Sequence, residues 1–186
     1  MKNGPELWDK ILSHFPEDTI LAGGAVRDFF LGVEPKDFDL FSPYSSYKAD
    51  IEGMNHIDFD DGEGTHAEEY EAMGEIGIVM KGEIEGVNVD YIGMHLDDPV
   101  AMIESFDTDI NQVFFARGGR LYKKAGFIKA LETKIVTVQR GDRLERTQER
   151  FDRFNLKMHG QFTLVVPEGL AMPEVTNDPE FNFGAD

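Results

Sequence analysis

The chain has 186 residues, a formal net charge of −18, 41% apolar residues and no cysteine. That length suits one domain with a modest extension. The missing cysteines exclude disulfides and thiolate zinc sites, and no apolar run approaches the roughly 18 residues of a membrane span.

The N-terminus leads into an amphipathic segment and not into a signal-peptide core, so a cytoplasmic location is expected. Trp8, Ile11, Leu12 and Phe15 recur at helical spacing behind Pro5, which predicts a first helix over 5–15. Residues 19–22 read as a short apolar strand. Gly23-Gly24 then turns the chain, 25–31 reads as a helix closed by Gly32, and Pro35 separates it from a second strand over 37–41. A short helix is expected over 47–54. Residues 58–75 carry eight acidic side chains and several glycines. They read as a solvated loop with a helical turn over 67–73.

Strands are predicted at 76–81 and 87–93, joined as a hairpin around 82–86. Asp98-Pro99 has the chemistry of a helix start, and Val100, Met102, Ile103 and Phe106 give that segment an apolar face. A strand falls within 110–115, and the chain resumes at Leu121-Tyr122 after the Gly118-Gly119 turn. A short helix over 125–131, an extended piece over 135–138, a charged, partly exposed helix over 142–158 and a strand over 162–166 complete the pattern. The end of the chain, around 184–186, reads as loose.

The charge is unevenly placed. Twelve of the eighteen Lys and Arg residues lie within 117–157, against five acidic ones there. A uniformly acidic surface repels phosphate backbones, but an acidic body with one basic arm can direct an anion to one place. The alternative is that the acid excess serves solubility. The five histidines are scattered without His-x-x-x-His spacing, which argues against a zinc site. His66, in the acidic loop, reads as exposed.

The chemistry concentrates at Gly23-Gly24 and Asp37-Phe38-Asp39. Alternation along a strand puts residues i and i+2 on one face. Two carboxylates there repel unless a cation lies between them. Magnesium accepts one or two carboxylates and takes its other ligands from water and phosphates. A glycine pair opening a helix lets backbone N–H groups approach an anion without interference from Cβ. The plain alternatives are an edge strand with its acids in water and an ordinary left-handed turn.

These residues resemble a known signature. Gly23-Gly24-Ala25-Val26-Arg27-Asp28, then Leu31-Gly32, then Lys36-Asp37-Phe38-Asp39-Leu40 is similar, with spacing intact, to the motif of class II tRNA nucleotidyltransferases and bacterial poly(A) polymerases. These belong to the DNA polymerase beta-like nucleotidyltransferase superfamily. Gly77-Ile78-Val79 and 87–92 fall where the family has its next two strands. Asp107-Thr108-Asp109-Ile110-Asn111 resembles a later motif, and Gly119-Arg120-Leu121 the turn after it.

The resemblance implies an α+β fold: a short mixed sheet with helices on one side, plus a short helical neck. The expected division is a nucleotidyltransferase head over 1–122, a basic neck over 123–159 and an acidic tail over 160–186. It also implies roles. Asp37 and Asp39 hold two Mg²⁺ ions, and Asp90, on an apolar strand, is the third catalytic acid. Asp107 is its competitor and a supporting residue. Gly23, Gly24 and Arg27 contact an NTP triphosphate or shape the loop that does, and Asp28 anchors that loop. Lys36, Asp107, Asn111, Arg150 and Arg153 complete the nucleotide-binding set.

The departures from the family pattern matter too. Ser105 and Phe106 stand where the family has two arginines. Glu149-Arg150-Phe151-Asp152-Arg153 is the nearest match to the base-reading motif Glu-Asp-x-x-Arg, with Arg150 in place of its Asp. The competing reading of Arg143, Arg146, Arg150 and Arg153 is a solvated helical face carrying Asp142–Arg146 and Glu149–Arg153 pairs. About sixty residues follow the head, where family members continue into domains that hold tRNA.

The expected activity is metal-dependent transfer of a nucleoside monophosphate from an NTP to an acceptor hydroxyl, an RNA 3′ end by resemblance. A protein or small-molecule acceptor stays open. So does a non-catalytic acidic binding protein on the same fold. No membrane partner is expected, and oligomeric state is not readable.

Overall fold

Apolar alternation and two tight turns build the centre of the molecule, which a computed structural model describes over residues 3–57 and 76–170. The acidic loop, its helical turn, His66 and the end of the chain lie outside the described residues. The elements are α1 (Pro5–Leu12), β1 (Ile20–Ala22), α2 (Gly24–Leu31), β2 (Phe38–Pro43), β3 (Met54–His56), β4 (Ile76–Ile84), β5 (Val87–Met94), α3 (Pro99–Glu104), β6 (Val113–Ala116), β7 (Arg120–Lys123), α4 (Ala125–Thr133), β8 (Ile135–Thr137), α5 (Leu144–Lys157) and β9 (Thr163–Val165). Among the described residues, seven strands form one mixed sheet in the order β3-β4-β5-β2-β1-β6-β7, and β8 pairs with β9 apart from it.

The pair β2/β5 is parallel and the others of the large sheet are antiparallel. Alternation divides each central strand between two cores. Phe38 and Leu40 of β2, Val89 and Tyr91 of β5 and Leu21 of β1 face a large core closed by α1, α2, α4 and α5. Phe41, Ile92, Val79 and Ile20 face a smaller core, which α3 covers with Met102 and Ile103. So a short helix lies on the second side as well. Trp8 at the centre of the large core meets Phe29 and Phe115 edge-on, each at 5.1 Å. Arg117 caps the end of α1, donating to the carbonyls of Leu12 and Phe15. Asp98 caps α3 by accepting from the Ala101 N–H at 3.2 Å.

Some expectations differ in detail. The helix expected over 47–54 is absent. A 3₁₀ turn stands at Tyr44–Ser46 instead, and Met54–His56 pairs as an edge strand. Tyr47 is held by stacking on Tyr91 at 4.4 Å, a tertiary contact that overrides local helix preference. The hairpin is also tighter than 82–86. Ile84 pairs with Val87, leaving a two-residue turn of Glu85 and Gly86, both at positive φ. Gly82 is part of β4, and a Cβ there would collide with the Gly53 carbonyl oxygen of the neighbouring edge.

Candidate active site

Two adjoining clefts share Gly24, Lys36, Asp37, Asp39, Asp107, Asn111 and Arg150. Gly23 and Asp90 line one of them; Arg27 and Arg153 line the other. All the residues expected at the site are therefore neighbours in space, although they span more than a hundred positions of sequence.

The glycine turn is specific to glycine at one position. Gly23 sits at φ +68° and ψ −126°, between the end of β1 and the start of α2, a positive-φ conformation open to glycine that costs other residues roughly 1–3 kcal/mol. Its N–H is taken by the Val113 carbonyl at 3.1 Å. Gly23 therefore shapes the turn, and Gly24 opens the helix at the cleft.

Arg27 projects from α2 and is gripped from three sides. Its Nε donates to Asp28 Oδ1 at 2.8 Å, its Nη2 lies 2.7 Å from the same oxygen in an ion pair, and its Nη1 donates to Asn111 Oδ1 at 2.8 Å. Its guanidinium also lies 4.4 Å from the centre of the Phe154 ring on α5. Two hydrogen bonds, an ion pair and a ring contact thus commit the guanidinium inside the protein, which makes it a builder of the cleft wall. Asp28 is buried, and its Oδ2 accepts from Lys157 Nζ at 2.7 Å.

The carboxylates come from the sheet. Asp37 immediately precedes β2, so it is not a strand residue, and Asp39 lies within it. The parallel register sets Asp39 opposite Asp90, and the hairpin register sets Asp90 opposite Lys81. Residues paired across adjacent strands point to the same face, so Asp39, Asp90 and Lys81 form a row. Lys81 Nζ lies 2.8 Å from Asp90 Oδ2. Burial, then the like charges of Asp37 and Asp90, push the Asp39 carboxyl up to about 7, while Arg150 and Lys81 pull it down.

Asp107 lines both clefts as well. Arg150 Nη1 donates to its Oδ2 at 3.0 Å, and its Oδ1 is buried without a hydrogen-bond partner among the described residues. The segment is pinned by β8: Gln139 N–H donates to the Asp107 carbonyl at 2.8 Å and Thr137 N–H to Asp109 Oδ1 at 2.9 Å. Asp109 is buried, which raises its carboxyl above the usual range despite the Thr137 bonds.

The helix carrying Arg150 is not simply a solvated face. Arg143 is buried, Arg150 and Arg153 line the cleft, and Asp142 accepts from Arg140 at 3.1 and 2.9 Å. Those bonds hold the Asp142 carboxyl below its usual range, against the opposing effect of partial burial. Arg140, between β8 and α5, also donates to the Ser105 carbonyl at 3.3 Å. Phe106 packs on Phe41 at 5.2 Å and lines the Asp90 cleft.

Sequence reasoning missed Lys81, Lys157 and Phe154. A signal for Lys81 existed: counting back from a Glu85-Gly86 turn puts it opposite Asp90. Lys157 and Phe154 reach the cleft only through the packing of α5.

The site suits a magnesium ion. Asp37 and Asp39 could provide the one or two carboxylates that magnesium takes, and Asp107, which lines the same cleft, has a buried acceptor in its Oδ1. Among the described residues no three His, Asp or Glu groups form a ready-made cage, so the remaining ligands would be water and phosphate oxygens.

No protein-family model and no curated protein matches the chain. Solved structures do. A CCA-adding enzyme in complex with CTP aligns over 86% of this chain at 16% identity and TM-score 0.54. A tRNA-processing enzyme in an apo form aligns over 86% at 18% identity and TM-score 0.53. The Thermotoga maritima CCA-adding enzyme complexed with tRNA aligns over 86% at 15% identity and TM-score 0.53. The chain spans 43% of the length of the tRNA-processing enzyme and 38% of each of the other two. Its mixed α+β architecture is thus the fold of the nucleotidyltransferase head domain of CCA-adding enzymes.

Proposed function

We propose that the chain is a metal-dependent nucleotidyltransferase. It moves a nucleoside monophosphate from an NTP to an acceptor hydroxyl, with an RNA 3′ end as the acceptor. The observation that carries this reading is the convergence of Asp37, Asp39 and Asp90 with the Gly23-Gly24 turn at one cleft. The likeness in fold to enzymes solved with CTP and with tRNA supports the nucleotide and RNA partners. Arg150 lines this cleft, and Arg150, Arg153 and Lys157 line the adjoining one, so an acidic chain still presents positive charge to a triphosphate. No described helix is long and apolar enough to cross a membrane.

In this reading Asp37 and Asp39 would hold Mg²⁺, which would supply charge neutralisation for the phosphates and polarisation of the reacting oxygens. Gly23 and Arg27 fix the cleft wall at the start of α2. Gly24, Lys36, Arg150 and Arg153 seat the triphosphate. Asp107 and Asn111 hold Arg150 and Arg27 in position. Asp90 orients the acceptor end. The acceptor oxygen bonds to the α-phosphorus, the bond to the β-bridging oxygen breaks, pyrophosphate leaves with that electron pair, and the hydroxyl proton passes to solvent. Positioning and electrostatic stabilisation carry most of the acceleration.

The test is incubation with each α-labelled NTP, Mg²⁺ and a mixture of cellular RNA and protein. Label in the RNA fraction is expected. Label confined to protein moves the acceptor to a protein hydroxyl. Equal labelling by the Asp37→Ala, Asp39→Ala double variant refutes the site.

A further inference from the structure

We propose that Lys81 takes the place of a second divalent ion, so that this site works with one metal ion rather than the two expected from resemblance. This role rests on the nucleotidyltransferase reading and deepens it. Asp39, Asp90 and Lys81 are consecutive register partners across β2, β5 and β4, and all three line one cleft. The ammonium nitrogen stands 2.8 Å from Asp90 Oδ2, and the two side chains are 29% and 13% exposed.

Two carboxylates side by side on neighbouring strands repel, and a cation must offset that repulsion. At the Asp39 end, the flanking Asp37 makes a pair suited to magnesium. At the Asp90 end, the chain supplies its own cation in direct contact. A second divalent ion on Asp90 would have to displace Lys81 or sit against its ammonium group, and like charges at that range repel strongly in a partly buried setting. Lys81 is also long and unbranched, so it can hold its charge where an acceptor phosphate or the reacting oxygen arrives. Asp107, which lines the same cleft, repeats the arrangement with Arg150 3.0 Å away. Asp90 and Asp107 thus each have a side-chain cation within 3.0 Å among the described residues.

The decisive measurement counts Mn²⁺ bound per protein–nucleotide complex. Free Mn²⁺ is followed by electron paramagnetic resonance during titration of the full chain with the α,β-methylene analogues of ATP and CTP. One ion per complex is expected for the unaltered protein. Lys81→Met should bind two, because removal of the ammonium opens Asp90 to a second ion. Asp90→Asn should still bind one, and it keeps the test alive if Lys81→Met does not fold. Two ions in the unaltered protein overturn the proposal, as does a single ion in a folded Lys81→Met. Loss of the ion in Asp90→Asn overturns it too. Absence of any nucleotide complex would instead sink the nucleotidyltransferase reading itself, and the role of Lys81 with it.

Discussion

Lys157 reaches across 129 positions of sequence to place its Nζ 2.7 Å from Asp28 Oδ2. The same carboxylate holds Arg27 through its other oxygen, so one buried acid ties the last turn of α5 to the helix that opens at the glycine turn. Asp28→Ala removes the acceptor for both cations. The expected loss is about 3–5 kcal/mol, the usual result of breaking a buried pair from one side. Lys157→Ala costs only about 1 kcal/mol, because the lysine side chain is 37% exposed. Urea unfolding of the two variants checks this, and equal losses would contradict the asymmetry.

Asp39 gives a pH dependence of definite sign. Its carboxyl titrates at about 7 in the folded protein against an ordinary value of 3.8. Between those values the folded state binds more protons than the unfolded one, so stability falls as pH rises from about 4 through 7. Asp39→Asn removes this penalty. In the presence of a chelator the variant should be more stable than the parent at pH 8, by on the order of 2–4 kcal/mol. At pH 3 the difference should vanish. Thermal unfolding at both pH values is the measurement, and a larger gain at the acid end contradicts the assignment.

Ligand-linked stabilisation tests the same pair differently. An NTP with Mg²⁺ at a hundred times its dissociation constant should raise stability by about 2.7 kcal/mol. Asp37→Ala and Asp39→Ala should each lose most of that shift. Each should also slow transfer by about 10³-fold, a loss of several kcal/mol in transition-state stabilisation. A full thermal shift in both variants would place the metal elsewhere.

Arg150, on α5, stands 3.0 Å from Asp107. Arg150→Ala should weaken NTP binding more than it slows turnover, raising KM by roughly tenfold, equivalent to about 1.4 kcal/mol. Arg150→Lys keeps the charge without the planar fork and should restore part of the loss. Steady-state kinetics against NTP concentration reads the split. An unchanged KM in Arg150→Ala would remove this residue from the nucleotide-binding set.

Gly82 is exacting for a reason unrelated to chemistry. A Cβ there would strike the Gly53 carbonyl oxygen, which is backbone and cannot rotate away. Gly82→Ala should separate β3 from β4 and cost about 1–3 kcal/mol. A chemical denaturation curve identical to the parent's would show that the edge yields freely.

The sequence by itself determined the local devices. The pattern of apolar residues separates strands from helices, Gly32 and Pro35 end α2 before β2, and Asp98-Pro99 starts α3, because these follow from backbone sterics and short-range hydrogen bonding. The spacing from Gly23 to Asp39 was likewise legible, since it lies within one β-α-β passage. The tertiary structure decided what those devices meet. Tyr47 stacks on Tyr91 where a helix was expected. Arg150 and Lys157 turn inward although their helix reads as solvated. Asp90 stands beside Asp39 and under Lys81 because a parallel pairing and a two-residue hairpin fix the register. Burial and charge proximity depend on contacts between residues distant in sequence. No local pattern encodes the distance at which two such side chains come to rest.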